Sequence, residues 1–406
     1  MRPFPGFCES AFVLETEVVV VGAGPSGATT ALLLARYSHR VVVVDRARFP
    51  RDKACGEGLM PPGVGVLRRL GLFDEVMATG ARPLDGVSYQ HEGGHPSAHA
   101  AFPAPSPAAP AGGLGVRRTT FDAVLVDALR SEPNVTLREG ERVTGLVRGG
   151  SNEAKGVVAA GGEEIRARIV VGADGLHSGV RAWAGLGRPT HTQRRYGLAG
   201  HWRLDVRDRR AITVTFCDGH EWYEAPVGPE LLLVSVLTRR SQLPITAKTY
   251  ESAARAAVPS VHDADLVAGP LGAAQFLQRA RSVTDGRVFL VGDASGYDDP
   301  TTGEGLAIGM LLAERLALHI DDLLSVRTSP AEAARRYRID HAHLVRERRR
   351  LTQLALLIAR TPWLSRRAIA HAASDPTTLG KLLAINCGYQ TFATLSPRDW
   401  LALAGI

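Results

Sequence analysis

The residues of this chain whose types and spacing could do chemistry begin with a cluster of glycines, Gly22-Ala-Gly24-Pro-Ser26-Gly27. In such a run the first glycine permits a tight turn and the second lets backbone approach a pyrophosphate. The third allows the following helix to pack closely, so that phosphate charge meets the helix N-terminus. Asp45 stands 18 residues beyond Gly27, where a carboxylate would accept hydrogen bonds from an adenosine ribose; Ser26 and Arg46 are counted with it. A thiol follows in Lys53-Ala-Cys55-Gly-Glu57-Gly-Leu-Met-Pro61. A cysteine near a lysine can act as a redox or acid group, or it can simply pack. Glu304, in Pro300-Thr-Thr-Gly303-Glu304-Gly305-Leu306, reads either as an acid or base with a raised pKa or as a helix N-cap. Two further short runs, Gly172-Ala-Asp174-Gly175 and Gly292-Asp293-Ala294, are turns by themselves and gain meaning only from their order behind the first.

These residues need elements to hold them. The β-branched run 17–21 reads as a buried strand, ATTALLLARYSHR as a helix and VVVVD at 41–45 as a second strand, which together make a parallel, right-handed unit. A helix is expected over VGVLRRLGLF, a loop excursion over 92–115, and a helix from about 119 with Thr119 or Thr120 as N-cap. Strand character recurs at 135–138, 141–147, 155–160 and 164–171, the last running into GADG. From about 190 to 280 alternation suggests antiparallel strands. Residues 287–294 restore a buried parallel strand, a helix starts near 304, and 331–405 read as helices.

Composition excludes several classes. The four cysteines form no CxxC pair, so neither a disulfide framework nor a metal site is expected. The first sixteen residues lack the pattern of a signal peptide, and no run approaches the roughly 18 apolar residues of a membrane span. A cytoplasmic protein is expected. The net charge of +7 owes much to RRYRIDHAHLVRERRR, read as a solvated helix face rather than a nucleic-acid site. Contact of these basic, amphipathic C-terminal helices with a membrane surface is left open, as is oligomeric state.

The ordered trio GAGPSG, GADG and VGDA resembles the FAD-dependent aromatic hydroxylase superfamily, which includes p-hydroxybenzoate hydroxylase, flavin-dependent halogenases and geranylgeranyl reductases. The resemblance covers about 1–320. It implies an α/β fold with a discontinuous FAD-binding Rossmann-like domain of the glutathione-reductase type at 1–80, 113–189 and 280–330. An antiparallel-sheet substrate domain at 81–112 and 190–279 is inserted into it, and a helical region occupies 331–406. FAD would be the cofactor and NAD(P)H its transient reductant. Asp293 would contact the ribityl chain. Gly303 to Leu306, with Pro300 and Gly305, would support the flavin pyrimidine edge. Asp174, Gly175 and Gly292 would lie along the cofactor, and Arg118, in RxxFD, beside it.

The Lys53–Pro61 loop resembles the reductase and halogenase branches. Glu221-Trp222-Tyr223-Glu-Ala-Pro226 resembles the strand that lines the pocket above the flavin, so Trp222, Tyr223 and Pro226 would face substrate, although aromatics on a sheet also serve as core. Glu304 replaces the Gln of the hydroxylase pattern. The halogenase Trp-x-Trp-x-Ile-Pro motif is missing. The reading is a monooxygenase that hydroxylates or epoxidises an apolar phenolic or polyketide-type molecule. The alternatives are a double-bond reductase of the geranylgeranyl reductase type and, behind it, a halogenase or a non-catalytic binding protein.

Overall fold

A computed structural model of the chain describes residues 14–104, 112–150, 152–190, 195–239 and 244–404. Most of the first sixteen residues on which the leader reading rests, and Cys8, lie outside that set.

Valine dominates the centre of the first sheet. Val18, Val19 and Val20 in the strand Leu14–Val21 are fully buried, as a parallel strand covered on both faces must be. Val41–Asp45 and then Val135–Glu139 extend the sheet in parallel on one side, and Glu164–Gly172 pairs in parallel on the other. That last strand forks. Its first half pairs antiparallel with Ala154–Ala159, which carries Val143–Arg148 beyond it, and its second half pairs in parallel with Val288–Leu290. The fork places the ends of three strands, at Gly22, Ala173 and Val291, side by side. Ligands gather at such carboxyl ends.

Among the described residues the second sheet also has seven strands, in the order Asp265–Ala274, Arg195–Arg203, Leu231–Arg239, His220–Gly228, Ala211–Cys217, Gly86–His91 and Ser97–Ala101. Of the pairings between them, Gly86–His91 with Ala211–Cys217 is parallel and the others are antiparallel. The loop expected over 92–115 is therefore partly strand: Ser97–Ala101 pairs with Gly86–His91, and Gly113–Gly115 pairs with Arg82–Leu84. Ala98 and Ala100 are buried while Ser97, His99 and Ala101 are exposed. The alternation was there, but in residues too small and polar to register as apolar. The helix expected from 119 starts one residue earlier. It spans Arg118–Ser131 behind Arg117, with no side-chain cap, and Thr120 Oγ1 donates back to the Arg117 carbonyl at 3.0 Å.

The helix Gly305–Leu324 runs beneath the first sheet against Pro25–Arg36, and Pro330–Ala359 packs on it in turn. The buried Tyr337 fixes this third layer: its hydroxyl donates to the Leu290 carbonyl at 2.7 Å, just before the Gly292 turn. Tyr337→Phe removes one buried hydrogen bond and should cost about 1–2 kcal/mol. Tyr337→Ala also opens a cavity and should cost about 3–5 kcal/mol. Urea unfolding of the two variants checks both the order and the size of these losses.

Candidate active site

Gly22 occupies the left-handed region at φ +106°, and a Cβ there would lie 2.4 Å from the Ala173 carbonyl oxygen. A Cβ on Gly27 would lie 1.9 Å from the Gly22 carbonyl oxygen. The turn can thus close only without side chains, and closing it brings the N-terminus of Pro25–Arg36 to the sheet edge. Gly24 is different: a Cβ there would meet nothing nearer than Arg51 Nη2 at 3.7 Å. Its open side faces a cavity of about 700 Å³ that runs from the sheet edge to the face of the second sheet.

That cavity is lined by Gly22, Gly24, Ser26, Asp45, Arg46, Arg118, Asp174 and Gly175, and also by Cys55, Asp293, Pro300, Gly303, Gly305, Leu306 and Tyr223. Asp45 accepts from the Ala23 and Ala47 amides, each at 2.8 Å. The remaining lone pairs are left for hydroxyl donors. Ser26 Oγ is wedged between Gly292 and Gly309, where Cβ atoms would come within 2.4 Å and 2.3 Å of it. Asp174 Oδ2 accepts from the Val180 amide at 3.1 Å, which holds the GADG turn closed. Arg181 ties that turn to the next, donating to the carbonyls of Leu176 and Ala294 at 2.9 Å each.

Five expected residues are not on this wall. Gly27 packs against Gly22, and Gly292 lines a smaller void behind the cavity. Pro226 turns its carbonyl toward Gly115, not into the cavity. Trp222 points to the opposite face of its strand, where it is 1% exposed and lies 6.2 Å from Tyr250 between ring centroids. Alternation in a strand sends neighbours to opposite faces, so Tyr223 in the cavity requires Trp222 in the core. Glu304 also turns away. It sits at the N-cap position of Gly305–Leu324 but caps nothing with its side chain. Its carboxyl lies in the smaller void with Arg348 and Thr352. Burial raises its pKa to about 7, against the attraction of Arg348.

Three contributors are not among the expected site residues, although Lys53 enters the sequence reading as a neighbour of Cys55. Lys53 projects into the cavity, where burial lowers its pKa against the pull of Asp293. Tyr297 lines the cavity beside Gly305, its phenol pushed well above the usual value by burial. Glu57 is buried in the left-handed region at φ +54°, a conformation that costs a non-glycine residue on the order of 1–3 kcal/mol. Three contacts hold it: its carboxylate accepts from the Arg118 amide at 2.8 Å and meets His201 Nε2 at 2.8 Å, and its amide donates to Cys55 Sγ at 3.3 Å. Glu57 thereby joins the Cys55 loop, the helix at Arg118 and the second sheet. His201 lies 144 residues away in the chain, so nothing local marked the pair. Arg118 forms a two-point pair with Asp122, at 2.8 and 2.7 Å, and also contacts the Cys55 thiol.

Two outcomes follow. Gly24→Val should keep the fold, since its Cβ meets open space, yet lose FAD affinity at least 100-fold in a fluorescence titration. Because folding raises the Glu304 pKa from 4.5 to about 7, its contribution to stability is full below 4.5 and falls as pH rises to about 7. Glu304→Gln should flatten that decline and melt higher than the parent at pH 8.

Comparison with known proteins agrees with this geometry. Menaquinone reductase of Mycolicibacterium smegmatis is 37% identical over 191 residues, covering 46% of this chain and only 43% of that enzyme. The menaquinone reductase of Mycobacterium tuberculosis H37Rv is 26% identical over 417 residues, covering 96% and 94%. The 6-methylpretetramide 4-monooxygenase of Streptomyces rimosus is 34% identical over 177 residues, covering 42% and 41%. In fold, p-nitrophenol 4-monooxygenase PnpA from Pseudomonas putida DLL-E4 superposes with a TM-score of 0.79 at 21% identity, covering 94% of this chain and 99% of that one. The glycine turn, the Asp45 carboxylate beside it and the cavity suit one dinucleotide. The FAD binding domain family matches residues 15–333, and the chain belongs to that family as an FAD-dependent oxidoreductase.

Proposed function

We propose that the chain is a monooxygenase that oxygenates an apolar, electron-rich ring such as a phenolic or polyketide-type molecule. The observation that carries this reading is the chemistry of the chamber facing the second sheet. Its walls are Leu198, Ile212, Leu233, Val236, Leu271 and Phe276, and hydroxyl-bearing side chains among the lining are Ser235, Tyr223 and Tyr297. Burial holds both phenols protonated, well above their usual pKa. They are neutral hydrogen-bonding groups that can hold a phenol or carbonyl oxygen of the substrate. The aliphatic walls exclude water from the reacting atoms.

FAD, when bound, would supply the redox chemistry that links NAD(P)H and dioxygen to the substrate. Gly22 to Gly27 and the helix N-terminus behind them would hold its pyrophosphate, Asp45 its adenosine ribose and Asp293 its ribityl chain. The turn at Gly303 and the start of Gly305–Leu324 would present positive helix dipole to the flavin ring. Glu57, bound to His201, would hold the Cys55 loop in place on the cavity wall beside the cofactor. Tyr223, whose hydroxyl lies 3.4 Å from the Thr301 carbonyl, would orient substrate against that loop.

A reductase of a double bond in a prenyl-like chain is the second reading. It is favoured by the Cys55 thiol on the chamber wall in contact with Arg118, where it would serve as proton donor, and by the match to menaquinone reductase along nearly the whole chain.

Turnover under isotopically labelled dioxygen separates the two. Label in the product, with Cys55→Ala nearly as active as the parent, is expected. A saturated product without label, and loss of turnover in Cys55→Ala, would overturn the proposal in favour of the reductase. Tyr223→Phe should lower kcat/KM about tenfold, the worth of one hydrogen bond to a neutral partner, with FAD content unchanged.

A further inference from the structure

One corner of the surface is rich in arginine: of the seven in residues 346–367, all but the buried Arg348 are exposed. The same stretch holds a single carboxylate, Glu347. Here the helix Pro330–Ala359 ends and Pro362–Ser374 begins. Arg346, Arg350, Gln353, Leu357 and Arg360 recur at spacings of three and four and are all exposed, so they form one outer stripe of the first helix. Leu357 is 59% exposed and Trp363, in the first turn of the next helix, 61%. Arg366 is exposed one turn further on, and Leu354, Leu356, Ile358 and Leu364 are half-buried around the corner.

Large apolar side chains standing in water inside a frame of guanidinium groups fit an interface that is anionic at its surface and apolar beneath. A bilayer with acidic headgroups has that layering. A second copy of the chain does not fit, because a two-fold contact would set these arginines against their own equivalents. The corner is also rigidly placed. Ser365 Oγ meets His91 Nε2 of the second sheet at 2.9 Å. Arg360 lies within electrostatic reach of Glu221 and Asp299, which grip Arg195. From Arg195 the strand runs on to Gly197 and Leu198 in the chamber wall. Among the described residues no helix is long and apolar enough to cross a membrane, so the contact is peripheral.

We propose that this corner docks on an anionic lipid surface, with Leu357 and Trp363 seated below the headgroups and the arginines among the phosphates. The inference rests on the surface alone and stands whichever reaction the flavin carries out. Its test is co-sedimentation of the full-length, FAD-loaded protein with vesicles of phosphatidylcholine alone or mixed with phosphatidylglycerol. Binding only to the phosphatidylglycerol vesicles, weakening as salt rises, is expected. Arg366→Gln should reduce the partition coefficient about fivefold, and Leu357→Ser with Trp363→Ser at least tenfold, with FAD content unchanged in both. Failure to sediment with either vesicle would overturn the proposal, as would binding indifferent to the Leu357 and Trp363 changes. So would a concentration-dependent dimer lost in the double variant, or capture of duplex DNA in preference to vesicles.

Discussion

Everything in the site depends on a backbone contact that admits no side chain. The Gly22 turn closes onto Ala173, and Gly27 closes onto Gly22, at distances where any Cβ would overlap a carbonyl oxygen. That closure sets the first helix against the sheet, aims its N-terminus into the cavity and aligns the GADG turn beside it. The GDA turn joins through Arg181 and through Ser26 between Gly292 and Gly309. Three stretches of chain separated by more than a hundred residues thus reach one cavity because a few glycines let their backbones touch.

On this rigid edge the rest of the cavity is assembled by longer-range ties. Glu57 in its strained conformation joins the cofactor end to the second sheet through His201. The Arg195, Glu221 and Asp299 cluster joins the same sheet to the turn before Gly305. Both ties bury carboxylates, which contribute little to net stability but leave a costly unpaired group when a partner is removed. Their consequence is positional: they hold an apolar sheet face at a fixed distance from the turns around Cys55 and Pro300.

The local features were legible in the sequence because their chemistry is local. The β-branched strands, the glycine turn, Asp45 and the order of GADG and VGDA are each written in a few adjacent residues. What was not legible depends on direction. Trp222 and Tyr223 were both expected to face substrate, which alternation along a strand forbids, and which of the two is core is decided by Trp202 and Tyr250. Glu304 lies in the expected turn, yet its carboxyl follows Arg348 and Thr352, contributed by a helix more than forty residues later. The Glu57–His201 pair had no local mark at all, and Ser97–Ala101 was hidden by its alanines.

The central claim is that this cavity holds FAD, with its reacting edge toward the apolar chamber. The most direct test is the absorption spectrum of the purified protein, followed by assay of the flavin released on denaturation. Flavin bands and about one FAD per chain are predicted. A colourless protein that takes up no FAD when the cofactor is added would contradict the account.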